Sequence, residues 1–139
     1  MSLRDTAAYI LAQVIGGILG VMAAHLMFGQ ELLQFSEKVR TGGSQWFVEA
    51  VATFGLVLTI LATLRSRPAA VALAVGLYIT AAYWFTASTS FANPAVTIAR
   101  TLSDTFAGIR PADAPMFIVA QLIGGGLGLA YCTWQFRRK

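Results

Sequence analysis

The chain is poor in the residues that usually carry chemistry. Its 139 residues include one cysteine, Cys132, one histidine, His25, and one asparagine, Asn93. A lone cysteine excludes an internal disulfide framework and a cysteine-based zinc site. A lone histidine removes His-pair metal sites and His-based catalytic pairs. Neither G-x-S-x-G, H-E-x-x-H nor a pair of intramembrane aspartates occurs, so no intramembrane protease motif is present. Charge is scarce as well, at 12% of residues, where a soluble domain carries about 25%. The net charge of +4 forms no basic stripe, which argues against a nucleic-acid partner. No metal, no cofactor and no enzyme activity is expected.

Apolar sequence is what the chain has. Hydrophobic residues make up 57% and the mean hydropathy is +0.68. Too few polar residues remain to cover a soluble surface. A bilayer core needs about 20 apolar residues per helix. Four stretches qualify: Thr6 to Phe28, Trp46 to Leu64, Ala69 to Phe91, and Met116 to Phe136. Only the second carries a charge, Glu49. The expected fold is an all-α membrane protein with the lipid bilayer as its solvent. Tyr9, Trp46, Trp84 and Trp134 sit near span ends, as interfacial aromatics do.

Basic residues set the orientation. Arg65 and Arg67 fill the link between spans two and three, and Arg137, Arg138 and Lys139 close the chain. The positive-inside rule puts both groups, and by parity both termini, in the cytoplasm. The Gly29 to Gln45 loop is then external, although it mixes Lys38 and Arg40 with Glu31 and Glu37. Everything between Phe91 and Met116 begins and ends outside.

Spans one and four repeat each other. Tyr9–Ala24 reads YILAQVIGGILGVMAA and Phe117–Cys132 reads FIVAQLIGGGLGLAYC, with eight of sixteen positions identical. The shared A-Q-x-I-G-G-x-L-G exceeds what common composition gives. Because the two spans run in opposite directions, the repeat is inverted, as in several transport folds. Span four is preceded by two spans and a polar segment, span one by a few residues. The expected organisation is therefore 1–28 as the last helix of a first unit, 29–45 as an external linker, and 46–139 as a complete second unit. On this reading the chain is an N-terminally truncated member of a two-unit architecture. Gly16/Gly20 and Gly124/Gly128 form G-x-x-x-G pairs suited to close helix contact. His25 and Cys132 read as packed or interfacial residues.

Asn93 stands in Ser90-Phe91-Ala92-Asn93-Pro94-Ala95-Val96-Thr97. Asn is a favoured N-cap and Pro a favoured first helical residue, so a short helix is expected from Pro94 to about Ser103. Ten residues span roughly 15 Å, half a bilayer. A re-entrant loop with a half-helix satisfies the requirement to enter and leave on one side. A capped surface helix is the alternative, and the uncharged approach from Ala87 to Ala92 stands against it.

With these motifs in view the whole chain resembles the aquaporin, or major intrinsic protein, family. N-P-A-V-T resembles its pore signature, Glu49-Ala-Val-Ala-Thr53-Phe54 the opening of its fourth helix, and the two A-Q-x-x-G-x-x-x-G segments its third and sixth helices. The resemblance implies a right-handed helical bundle, here four spanning helices plus one re-entrant N-P-A half-helix. It also implies a homo-oligomer, a tetramer with a pore in each subunit, and small neutral solutes as the transported partners. The family's first two helices and first N-P-A loop have no counterpart. Val96 stands where water-selective members usually carry Arg. The other narrow-filter positions fall on Ser90 and Ala81. Small uncharged residues there suggest polyols, urea or metalloid hydroxides.

Site chemistry follows from these positions. Asn93, Pro94 and Ala95 open the half-helix, and Asn93 can cap N–H groups while presenting an NH2 donor to a passing oxygen. The stretch from Ser88 to Ala92 is expected to be extended, with its carbonyls as acceptors. Thr86 reads as a hydroxyl bonded locally at a helix end. Arg100 lies seven residues beyond Asn93, on nearly the same face and roughly 10 Å outward. It either faces the outer vestibule or snorkels to head groups. Glu49 is either a proton-coupling carboxylate or a structural acceptor for the unpaired N–H groups of the loop. The first role would fit a small proton-coupled multidrug-type exporter. The second fits a passive channel, and a non-conducting remnant is the third reading.

Overall fold

The computed structural model describes residues 2–137. Arg138 and Lys139 of the basic tail lie outside the described residues. Among the described residues all regular structure is helical. Helix α1 spans Leu3–Met27, α2 Gly43–Ser66, α3 Val71–Phe85 after a 3₁₀ turn at Pro68–Ala70, α4 Pro94–Arg100, and α5 Ala114–Arg137. Among the described residues four helical stretches are long and apolar enough to cross a membrane: Leu3–Met27, Gly43–Ser66, Pro68–Phe85 and Ala114–Arg137. The all-α expectation holds, and these four correspond to the four apolar runs.

Two element ends differ from the sequence reading. The third helix stops at Phe85 rather than running to Phe91. Thr86 turns the backbone to an extended conformation, and Thr89, Ser90 and Ala92 adopt positive φ of 63°, 48° and 48°. The half-helix stops at Arg100 rather than near Ser103, so it rises about 10 Å instead of 15.

The chain divides into two compact units. The first comprises Met1–Arg40 and Asn93–Pro115. Its long helix begins with a capping box: Ser2 Oγ accepts from the Asp5 N–H at 3.1 Å while Asp5 accepts from the Ser2 N–H at 3.2 Å. Helix α4 packs on α1 at Gly17, where an added Cβ would lie 3.1 Å from Ala99 Cβ. The 29–40 segment is tied down by backbone. Ser36 N–H donates to the Thr101 carbonyl at 2.9 Å, and Arg110 N–H to the Lys38 carbonyl at 2.8 Å.

Arg40, one of the two cations that made this loop look mixed, is buried. Its guanidinium donates to the Gly108 carbonyl at 2.7 Å and the Phe106 carbonyl at 2.8 Å. It thus works as a strut inside the loop. Its backbone N–H donates to Asp113 at 2.9 Å, and the Arg110 guanidinium meets the same carboxylate at 2.8 Å. Burial pushes the Asp113 carboxyl up, but these two donors and the Arg110 charge hold it below the usual carboxylate range.

The second unit comprises Thr41–Ala92 and Met116–Lys139. Here α2 is held by both neighbours. Tyr78 on α3 donates its hydroxyl to the Ala52 carbonyl at 2.9 Å, over the space left by Gly55. On the α5 side, Gly124 lies against the Ala50 backbone and Gly128 against Phe54 and Val57. Small residues let two helices approach in this way, as expected where van der Waals packing replaces the hydrophobic effect. At the other end of α2, Arg65 stacks over the Phe136 ring at 4.9 Å.

Candidate functional site

The buried loop between α3 and α4 has an unfavourable backbone. Left-handed φ costs L-residues roughly 1–2 kcal/mol each, and Thr89 is β-branched, the least tolerant type. Such a conformation persists only where its surroundings over-determine it. Glu49, fully buried on α2, does so. Its Oε1 accepts from the Ser88 hydroxyl at 2.6 Å and the Phe91 N–H at 2.9 Å. Its Oε2 accepts from the Ala92 N–H at 3.0 Å and the Gln121 amide at 2.8 Å. Four donors thus converge on one carboxylate, and two of them are loop N–H groups that no helix satisfies. Charge-assisted bonds of this kind are about twice as strong as neutral ones.

The rest of the loop is supported locally. Ser88 Oγ also accepts from the Ser90 N–H at 3.2 Å. Thr86 donates its hydroxyl to the Ala82 carbonyl at 2.7 Å, the local helix-end bond read from sequence. Phe91 is buried edge-on against Phe117, with ring centroids 5.4 Å apart. The expected extended stretch from Ser88 to Ala92 is instead a compact turn with three left-handed residues. The buried Ser90 Oγ makes no hydrogen bond to the described residues. Ala81 is exposed on α3.

Asn93 caps α4 in the other unit. Its Oδ1 accepts from the Ala95 N–H at 2.8 Å and the Val96 N–H at 3.4 Å, and Pro94 occupies the first helical position. The carbonyl side of the amide is thereby committed to the cap. The Nδ2 side reaches Gln13 Oε1 on α1 at a long 3.4 Å. Thr97 donates its hydroxyl back to the Asn93 carbonyl at 3.0 Å. Val96 and Arg100 are half-buried, and Arg100 lines a cavity of about 590 Å³ with His25 and Asp104.

The fold therefore groups Glu49 with the Ser90 loop, and Asn93, Pro94, Ala95, Val96 and Arg100 with α1. Sequence reasoning did not single out Gln121 or Gln13. The repeated Ala-Gln was their signal: each glutamine is the polar residue of an otherwise apolar helix face. Gln121 meets the loop-holding carboxylate and Gln13 meets the helix cap.

The chain is 60% identical over 131 residues to the aquaglyceroporin AqpS of Rhizobium meliloti (strain 1021). That alignment takes in 94% of this chain and 56% of the relative, so the chain spans just over half the length of the curated relative it matches. No solved structure matches. The family described as major intrinsic protein matches residues 65–138, more than half of the chain. With that match, four spanning-length helices and an Asn-capped half-length helix, this multi-pass membrane protein belongs to the major intrinsic protein family.

Proposed function

We propose that this chain forms one half of a passive channel for water or small neutral solutes such as glycerol-like polyols, urea or metalloid hydroxides. The observation that carries the reading is the division of labour at Asn93. Its Oδ1 is spent on capping α4, while its NH2 is left with one long contact. That donor suits a passing hydroxyl or water oxygen. Ser90 contributes a second polar group, since its buried hydroxyl has no partner among the described residues. Val96 in place of a cation favours uncharged solutes wider than water. Ala81 and Arg100 complete the proposed set, Ala81 as a small filter residue and Arg100 at the outer mouth. In this reading 1–28 closes one repeat, 29–45 links, and 46–139 forms the other, within a homo-oligomer in the cell membrane.

The test is Asn93→Asp, in vesicles carrying this chain joined to the part of the relative that it does not cover. Aspartate caps helices as well as asparagine does, so folding should be kept. It removes the NH2 donor and adds a charge. Neutral-solute flux should fall at least tenfold, or cations should begin to pass. Unchanged flux with unchanged cation exclusion would leave Asn93 as a cap alone. The exporter reading is disfavoured because both Glu49 oxygens are taken by protein donors, leaving no place for a transported proton.

Both termini belong in the cytoplasm on this proposal. Cysteines placed at 42–45 or 113 should react with an impermeant reagent from outside. Those at 65–68 should not, and their labelling from outside would reverse the topology.

A further inference from the structure

A groove runs along the second unit between α2 and α5. Its deep end is an apolar cavity of about 330 Å³ lined by Val57, Ile60, Leu61, Gly125 and Leu129. The next cavity, of about 310 Å³, shares Leu61 and Leu129 with the first and reaches Leu64, Arg65 and Phe136. A third, also of about 310 Å³, shares Arg65 and Phe136 with the second and opens onto Ser66 and Gln135. The groove therefore starts near the middle of α5 and ends at the last turns of both helices. From Gly125 to Phe136 it runs roughly 16 Å, about half of a 30 Å hydrocarbon core. Gly125 keeps it open. The atoms nearest to a Cβ added there are the methyl carbons of Thr53 at 3.7 Å and Val57 at 3.9 Å. Gly17 holds the same place in the repeat on α1, and there helix α4 covers it, with Ala99 at 3.1 Å.

The mouth is cationic. The Arg65 guanidinium lies over the Phe136 ring at 4.9 Å, and one of its N–H groups reaches the Phe136 carbonyl at a long 3.5 Å. Neither contact supplies a negative charge, and among the described residues Arg65 has no ion pair. Arg67 and Arg137 close the same two helices. The one acid of this unit, Glu49, stands sixteen residues up α2, roughly 24 Å away, with both oxygens taken. Ser66 gives its hydroxyl back to the Ala62 carbonyl at 3.1 Å, so Arg65 and the Gln135 amide are the donors at the mouth. We propose that in this chain the groove holds one anionic phospholipid, its phosphate at Arg65 and Gln135 and one acyl chain along Leu61, Leu129 and Gly125. The groove has the length of one leaflet, an apolar floor, and an uncompensated cation where a head group lies. Arg presents a planar fork that matches two phosphate oxygens. Basic pockets between spanning helices take anionic head groups on these terms. A second copy inserted in the same direction would instead bring its own Arg65, Arg67 and Arg137 to the cationic end. A soluble phosphate would leave the apolar floor uncovered.

The test is native mass spectrometry of the chain in detergent, mixed with equal amounts of dioleoyl phosphatidylglycerol and dioleoyl phosphatidylcholine. Phosphatidylglycerol should be retained about fivefold or more over phosphatidylcholine, which has the same tails. Arg65→Gln removes the head-group contact, and Gly125→Leu fills the groove without altering a charge. Each should lower retention about fivefold or more, whereas Arg67→Gln, an equal change of charge outside the lining, should lower it less than about twofold. Glycerol phosphate, a head group without tails, should not displace the lipid. A second measurement needs no variant and stands should Gly125→Leu fail to fold. Phosphatidylglycerol carrying a photoactivated diazirine at the end of one acyl chain should crosslink at 57–61 and 125–129 in preference to the exposed Leu73 and Leu77 of α3. Equal retention of the two lipids, displacement by glycerol phosphate, or crosslinks spread evenly over α3 would overturn the proposal. So would retention that survives Gly125→Leu, or equal losses from Arg65→Gln and Arg67→Gln. A dimer that Gly125→Leu breaks, with no lipid held, would give the groove to a second copy and overturn it as well.

Discussion

Replacing Glu49 with alanine or glutamine is expected to collapse the loop that precedes Asn93. In alanine the Phe91 and Ala92 N–H groups, the Ser88 hydroxyl and the Gln121 amide lose their shared acceptor at once. Each buried donor left unpaired costs about 1–3 kcal/mol, so the total is several kcal/mol. The three left-handed residues then lose what holds them. Glutamine is the sharper probe because it keeps shape and volume. One of its two terminal atoms must be an NH2 group, and either placement points it at two donors. Glu49→Gln should therefore lose most of the stability that Glu49→Ala loses, and Glu49→Asp should fall short of the loop by one methylene. The measurement is thermal unfolding in detergent, followed by helicity, with trypsin sensitivity of the 86–92 region as the local readout. A Glu49→Gln chain as stable and as protected as the parent would mean that the carboxylate does not organise the loop.

The same carboxylate explains what was legible in the sequence and what was not. An acid inside an apolar run is conspicuous, and the need of a re-entrant loop for acceptors set a structural role for Glu49 beside the proton-coupling one without deciding between them. The end of α3 was not readable. Ala87 to Ala92 is small, apolar or hydroxylic and uncharged, so hydropathy continues across it. The helix ends because the loop's N–H groups find Glu49 instead of the preceding turn, a tertiary event. The half-helix start was legible from Asn93-Pro94, since cap and first-turn chemistry are local. Its end was not, because Thr101, Leu102 and Ser103 contain no breaker, and Ser103 is drawn instead to His25. Arg40 misled in the opposite way. Counted as a loop charge it weakened the orientation, whereas its guanidinium is absorbed by two carbonyls.

The repeated glycines should give opposite results in the two helices that share them. On α5 a Cβ at Gly124 would collide with the Ala50 carbonyl, and one at Gly128 would lie 3.0 Å from the Phe54 carbonyl oxygen. The obstacles are backbone atoms of α2, which cannot rotate away. Gly124→Leu should therefore push α2 off α5, and with it break the Gln121 bond to Glu49. Overpacking of this sort costs about 1–3 kcal/mol, and more where backbone must move. On α1 the corresponding Gly16 and Gly20 have no atom within 4 Å of an added Cβ among the described residues. Gly16→Leu and Gly20→Leu should leave this chain's stability within about 0.5 kcal/mol, as surface substitutions do. The contrast becomes informative in a longer protein. If another helix covers α1 as α2 covers α5, Gly16→Leu should become as damaging there as Gly124→Leu is here. Unfolding midpoints of the three variants, measured in this chain and in its fusion to the uncovered part of the relative, decide the matter. Equal losses from Gly16→Leu and Gly124→Leu in this chain alone would contradict the open face on α1. No loss from Gly16→Leu in the fusion would mean that no helix packs on that face.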